Sequence, residues 1–150
     1  MNPLAITGIL AGLVALATAL GLLWRARSGR VRGVASGGTV IEVAELVPDA
    51  VAGFGATLLQ FSTEVCAPCR VTHTLLSSLA GQSSGVSHVE VDVTRRADIA
   101  SRFNLLQSPT TFILDAHGVV RARIGGAPRR AELAAELERI LHDPVAAGAA

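Results

Sequence analysis

The sequence predicts a mixed α/β domain preceded by one apolar helix. Three observations carry that expectation. Residues 4–23 contain no charged side chain. Beyond residue 38, short β-branched runs alternate with segments of helical period, the pattern that sets strands side by side in parallel. The last two strand-like runs are joined only by Asp115-Ala116-His117-Gly118, which closes an antiparallel hairpin.

Composition sets the outer bounds. At 150 residues the chain is about one domain long, and with half its residues apolar and 17% charged it is not disordered by composition. Charge is split. Residues 1–32 carry four arginines and no acid, whereas residues 33–150 carry nine arginines and twelve acids. The acidity of the larger part excludes a strongly basic nucleic-acid binder. Two cysteines exclude a disulfide-dense scaffold. All thirteen basic residues are arginine, a bias that resembles GC-rich coding more than a function.

Residues 1–24 read as a single-pass membrane anchor. Twenty residues at about 1.5 Å each span roughly 30 Å, the hydrocarbon thickness of a bilayer, so 4–23 would contact lipid. Trp24 follows where an interfacial aromatic sits. A buried core helix would need a polar face, which this stretch lacks. A cleaved signal peptide would usually have a basic lead, and only Met1, Asn2 and Pro3 precede the apolar run. Arg25, Arg27, Arg30 and Arg32 lie just after it, which predicts the N-terminus outside and the following domain in the cytoplasm. Residues 25–38 read as an Arg/Gly/Ser tether, 39–142 as the globular domain, and 143–150 as a disordered tail.

Within the domain, 39–43 (TVIEV) is expected to be a strand, followed by a short helix. The apolar run 57–62 (TLLQFS) suits a buried central strand. Residues 67–80 place Val71, Leu75, Leu76 and Leu79 at helical spacing. In 87–93, Val89, Val91 and Val93 share one strand face. Residues 95–103 form a short helix carrying Ile99 and Phe103. Strands at 110–114 and 119–124 flank the hairpin, with Arg121 and Arg123 on the outward face of an edge strand. A helix over 129–142 turns Leu133, Leu137, Ile140 and Leu141 inward.

Cys66-Ala67-Pro68-Cys69 follows a predicted strand and opens a predicted helix. A helix N-terminus offers free N–H groups and the positive end of the dipole, and both favour thiolate at the first cysteine. Pro68 falls in the first turn, where a missing N–H costs little. Cys69, one turn in, is the more buried partner. Half a zinc site, a Cu(I)-carrying module and an inert disulfide remain as alternatives. His73, His88, His117 and His142 are scattered singly and supply no second ligand pair, so no metal is assigned.

The spacing of several further residues resembles the thioredoxin family over about 39–142. Phe61 stands five residues before Cys66. Val91-Asp92 matches the end of the third strand, and Ser108-Pro109-Thr110 the place of the family's cis-proline. Gly118 and Gly125 match the hairpin glycine and the one after the last strand. The resemblance implies a thioredoxin-like three-layer fold with a mixed central sheet, and no cofactor. It implies that Cys66 attacks a substrate disulfide and Cys69 resolves the mixed disulfide. Ala67, Pro68, Ser108 and Pro109 would contact the substrate chain.

Departures from the family concentrate on proton transfer. Gln60 stands where thioredoxin has a buried Asp, and His88 where it has the partnering Lys. Ser62 and Val65 replace flanking tryptophans. Water, Glu64 or His88 would then deprotonate Cys69 in place of position 60, while His73 reads as a surface helix residue. The resulting expectation is a membrane-tethered oxidoreductase that reduces protein disulfides of membrane-associated partners, fed by an unidentified electron donor. An extracytoplasmic protein for cytochrome c maturation or envelope disulfides is the first alternative. A redox-inactive docking or metal-carrying module is the second.

Overall fold

The computed structural model describes residues 3–27, 29–33 and 38–143. Helix α1 (Pro3–Arg27) takes up the apolar stretch. Its window Ile6–Leu23 has a mean hydropathy of 2.3, and none of it is buried against the rest of the chain. The side chain of Trp24 and residues 144–150 of the expected tail lie outside the described residues.

The domain follows as β1 (Val31–Gly33), α2 (Val43–Leu46), β2 (Ala56–Ser62), α3 (Ala67–Gln82), β3 (Val86–Asp92), α4 (Ala97–Arg102), β4 (Thr110–Asp115), β5 (Val120–Gly125) and α5 (Arg130–His142). The sheet order is β1-β5-β4-β2-β3. Among the described strands only β2 and β3 pair in parallel, because α3 carries the chain back between them.

The two-residue period of the strands builds two cores. Leu59 and Phe61 of β2 join Val89, Val91, Ile99, Phe103 and Phe112 on the α2/α4 side. Leu58 joins Leu76, Ile113, Ile124, Leu133 and Leu137 on the α3/α5 side. Each large apolar side chain fully buried this way contributes about 1.5–3 kcal/mol. The layers are helix, mixed sheet, helix, as the sequence predicts.

Four details differ. Residues 39–43 make only a single bridge, Val40 to Val119, before Val43 opens α2. Ile41 N–H is anchored on Gly118 O at 2.8 Å, at the hairpin turn, where Gly118 has φ 75°. A Cβ on Gly118 would sit 2.6 Å from Ile41 O, so glycine is required there twice over.

The tether is shorter than expected, because Val31–Gly33 within it pair antiparallel with β5. Gly29 N–H also bonds Gly125 O at 2.8 Å. Consequently β5 is not an edge, and its arginines do not guard one. Arg121 Nε bonds the buried Asp115 carboxylate at 2.8 Å. Arg123 donates to the carbonyls of Phe103 and Asn104 after α4 and lies over the Phe112 ring. Both satisfy polar groups that the fold leaves unpaired.

Last, Val71 is 67% exposed. The inward stripe of α3 is Cys69, Thr72, Leu76 and Leu79, set by the cysteine that opens the helix.

Candidate active site

Strand β2 delivers the chain at Ser62, and α3 begins five residues later. Cys66 is the N-cap of α3, with extended backbone, and its Sγ accepts from Cys69 N–H at 3.2 Å. The sulfur therefore does the work that Ser or Asp does at most helix starts. Pro68 sits in the first turn. Cys66 and Cys69 are joined as a disulfide with a Cα–Cα distance of 5.2 Å. Cys66 is 9% exposed and Cys69 3%. Ala67 and Pro68 between them are exposed.

The Ser108–Pro109 peptide is cis. Phe61 pairs with Thr110 in the β2/β4 register, so Pro109 lies at the sheet end where Ser62 leads to Cys66. Ser108 is exposed and Pro109 buried.

A polar network lies beside Cys69 on the α3 side of the sheet. The strand alternation that buries Val89 and Val91 on one side turns His88, Glu90 and Asp92 to the other. Gln60 is fully buried. Its Nε2 donates to Cys69 O at 3.0 Å and to Glu90 Oε1 at 3.2 Å. Both amide protons are thereby used, which fixes the amide orientation and leaves Oε1 as an acceptor. His88 Nε2, 3.1 Å from that oxygen, must carry a proton and donate. Burial, reinforced by His73 and opposed by Glu90, lowers the His88 pKa to about 4. The ring is neutral near pH 7, so Nδ1 accepts from Ser77 Oγ at 2.9 Å. On the other arm, His73 Nδ1 donates to Glu90 Oε2 at 2.8 Å. The His73 and His88 rings meet edge to face, 4.8 Å between centroids.

An open groove of about 670 Å³ exposes this arrangement. Cys66, Cys69, Arg70, His73, Glu90 and Asp92 line it, as does Glu64. Of the residues expected in proton transfer, Glu64 is in the groove, with its carboxylate 3.8 Å from Arg95. Gln60, fully buried, and His88, part-buried, form the inner part of the network. His73, expected on the surface, is half-exposed but bonded to Glu90. Glu90 belongs to no motif in the sequence. Its signal is the alternation in SHVEVDV, which places it with His88, but its pairing opposite Gln60 needs the strand register. Among the described residues, no three His, Cys, Asp or Glu side chains form a metal-holding group.

The thioredoxin family model matches residues 47–139, well over half the chain. The chain belongs to the thioredoxin family. It is 34% identical over 83 residues to thioredoxin C-2 of Corynebacterium nephridii, covering 55% of this chain and 76% of that one. It is 33% identical over 72 residues to thioredoxin H2 of Arabidopsis thaliana, covering 48% of this chain and 53% of that one. Among solved structures, chloroplastic thioredoxin z superposes with a TM-score of 0.53 at 19% identity, over 65% of this chain and 85% of that one. That last likeness is one of fold. Family membership and the cysteine pair make this domain a thioredoxin-type thiol–disulfide oxidoreductase.

Proposed function

We propose that this thioredoxin-family protein is tethered to a membrane by α1 and reduces disulfides of membrane-associated protein partners from the cytoplasmic side. One structural relationship carries the reading. Val31 pairs with Ile124, Gly125 with Thr110, and Thr110 with Phe61. The end of β1 that follows α1 is therefore the end of the sheet that bears Cys66 and Pro109. Three residues separate Arg27 from Val31, a reach of about 10–14 Å at most. A bilayer crossed by α1 would lie close to the cysteines. Partners in that membrane would meet the dithiol at high effective concentration.

The chemistry follows the family. Reduced Cys66, at the N-terminus of α3, attacks one sulfur of the partner's disulfide and expels the other as thiolate. Cys69 loses its proton and attacks Cys66. The Cys66–Cys69 bond forms, the Cys66–partner bond breaks, and the partner leaves with both sulfurs reduced. Ala67, Pro68, Ser108 and Pro109 would border the partner chain. Val65, 97% exposed beside Cys66, and Leu106, 83% exposed before Ser108, offer apolar contact. A cellular donor dithiol would return the pair to its reduced form.

Cysteine accessibility in intact cells tests the placement, since the chain has only two cysteines. Cells are reduced with an impermeant phosphine and labelled with an impermeant maleimide. Labelling only after lysis is expected. Labelling of intact cells would overturn the cytoplasmic assignment and favour the envelope reading.

A further inference from the structure

Resolution requires that the Cys69 thiol give up a proton, and position 60 holds an amide that cannot take it. Three carboxylates line the groove: Glu64, Glu90 and Asp92. Asp92 Oδ1 accepts from the Thr94 N–H and hydroxyl, and Glu64 faces Arg95. Glu90 is tied to the cysteine helix on both sides. Its Oε1 is held by the same Gln60 amide that holds Cys69 O. Its Oε2 is held by His73, one helical turn after Cys69.

The geometry points to Glu90 as the proton acceptor for Cys69, with His73 and Gln60 as the positioning residues that aim it. This rests on the dithiol acting as the reductant described above. In the mixed disulfide, the Cys69 S–H proton passes to the Glu90 carboxylate, directly or through a water in the groove. The Cys69 thiolate then displaces the partner's sulfur from Cys66. The dithiol is oxidised by two electrons and the partner disulfide is reduced by two. The proton on Glu90 is released to the departing thiolate or to solvent. The role of the buried acid is thus moved one strand over, from β2 to its register neighbour on β3. The charged and titratable groups around Glu90 are His73 and Arg70 from α3, His88 and Asp92 from β3, and Glu64 from the loop before Cys66.

The test uses the full reduced chain in detergent and an aryl disulfide, 5,5′-dithiobis(2-nitrobenzoate). Cys66 releases a first nitrothiobenzoate on attack, and Cys69 releases the second when it closes the ring. Glu90→Gln should slow the second phase by at least ~10-fold near pH 7, at the lower end of what a positioned base supplies. The first phase should change by less than about 3-fold, the size left to a changed nearby charge. The acidic limb of the second-phase pH profile should vanish in Glu90→Gln, leaving a rate that rises with hydroxide. Glu90→Asp should recover part of the rate, and His73→Gln should lose part of it. A Glu90→Gln second phase with the wild-type rate and profile overturns the assignment. So does equal slowing in Glu90→Gln and Glu90→Asp with the profile unchanged, which marks a structural role. If the wild type releases no chromophore in either phase, the reductase reading itself falls, and this assignment with it.

Discussion

Gln60 and Glu90 stand opposite each other in the parallel register of β2 and β3, and Gln60 Nε2 donates to Glu90 Oε1 at 3.2 Å. The contact joins the buried floor of the site to its open groove. One amide holds the Cys69 carbonyl, the Glu90 carboxylate and the His88 ring at once.

Gln60→Leu removes all three hydrogen bonds without changing volume much. It leaves the part-buried His88 Nε2–H without its acceptor. The expected loss is about 2 kcal/mol, the cost of an unpaired buried polar group. Urea unfolding of the domain checks it, and an unchanged midpoint would show that the network contributes nothing to stability.

Acid should weaken the fold through His88. Its folded pKa of about 4 lies below the ordinary 6.5, so the unfolded chain binds more protons between those values. The contribution is fully present above pH 6.5, declines as pH falls, and is gone below 4. Fully expressed it is worth about 3 kcal/mol, and about half that once solvent screening of the part-exposed ring is allowed for. Stability measured from pH 7 to 4 should fall less steeply in His88→Gln than in the wild type. Parallel curves would remove His88 as the cause.

The β4–β5 hairpin depends on Asp115. Its carboxylate is 2% exposed, receives the N–H groups of His117 and Val119, and pairs with Arg121. Asp115→Ala leaves the part-buried Arg121 guanidinium with only the Asp143 carboxylate, 3.9 Å away, and two amides without their acceptor. The expected cost is about 3–5 kcal/mol, typical of breaking a buried pair from one side. Thermal unfolding reads it, and a shift of only a degree or two would contradict it.

A substitution at Val65 is expected to separate protein substrates from small ones. Val65 is almost fully exposed beside Cys66. Val65→Glu should leave both phases with the aryl disulfide within about 3-fold, since a solvated charge at the rim is largely screened. It should lower kcat/KM for a protein disulfide by about 10-fold, the worth of one lost apolar contact. Equal effects on both substrates would mean that Val65 acts on the cysteines themselves.

The sequence makes the layers and the chemistry legible because both are written locally. A continuous apolar run marks β2, alternation marks β3, helical spacing marks α3 and α5, and the cysteines are placed by a strand end and a helix start. What it hides is non-local. Nothing in Val31-Arg32-Gly33 marks it as the strand that covers β5, since three residues carry no period. Val71 has the right composition for the inward stripe of α3, but Cys69 sets the helix phase. Glu90 looks like any outward strand residue until the register puts it opposite Gln60. Arg121 and Arg123 look like edge protection until Asp115 and the carbonyls after α4 are seen to need them.

Mixed-disulfide trapping tests the central claim most directly. The full-length Cys69→Ser chain attacks through Cys66 but cannot resolve, so a partner stays attached. Expressed in its native membranes and quenched with acid, it should yield dithiothreitol-sensitive adducts that need Cys66. Their partners should stay with membranes washed in alkaline carbonate. Absence of Cys66-dependent adducts, or adducts only with proteins that the wash removes, would contradict a reductant of membrane proteins.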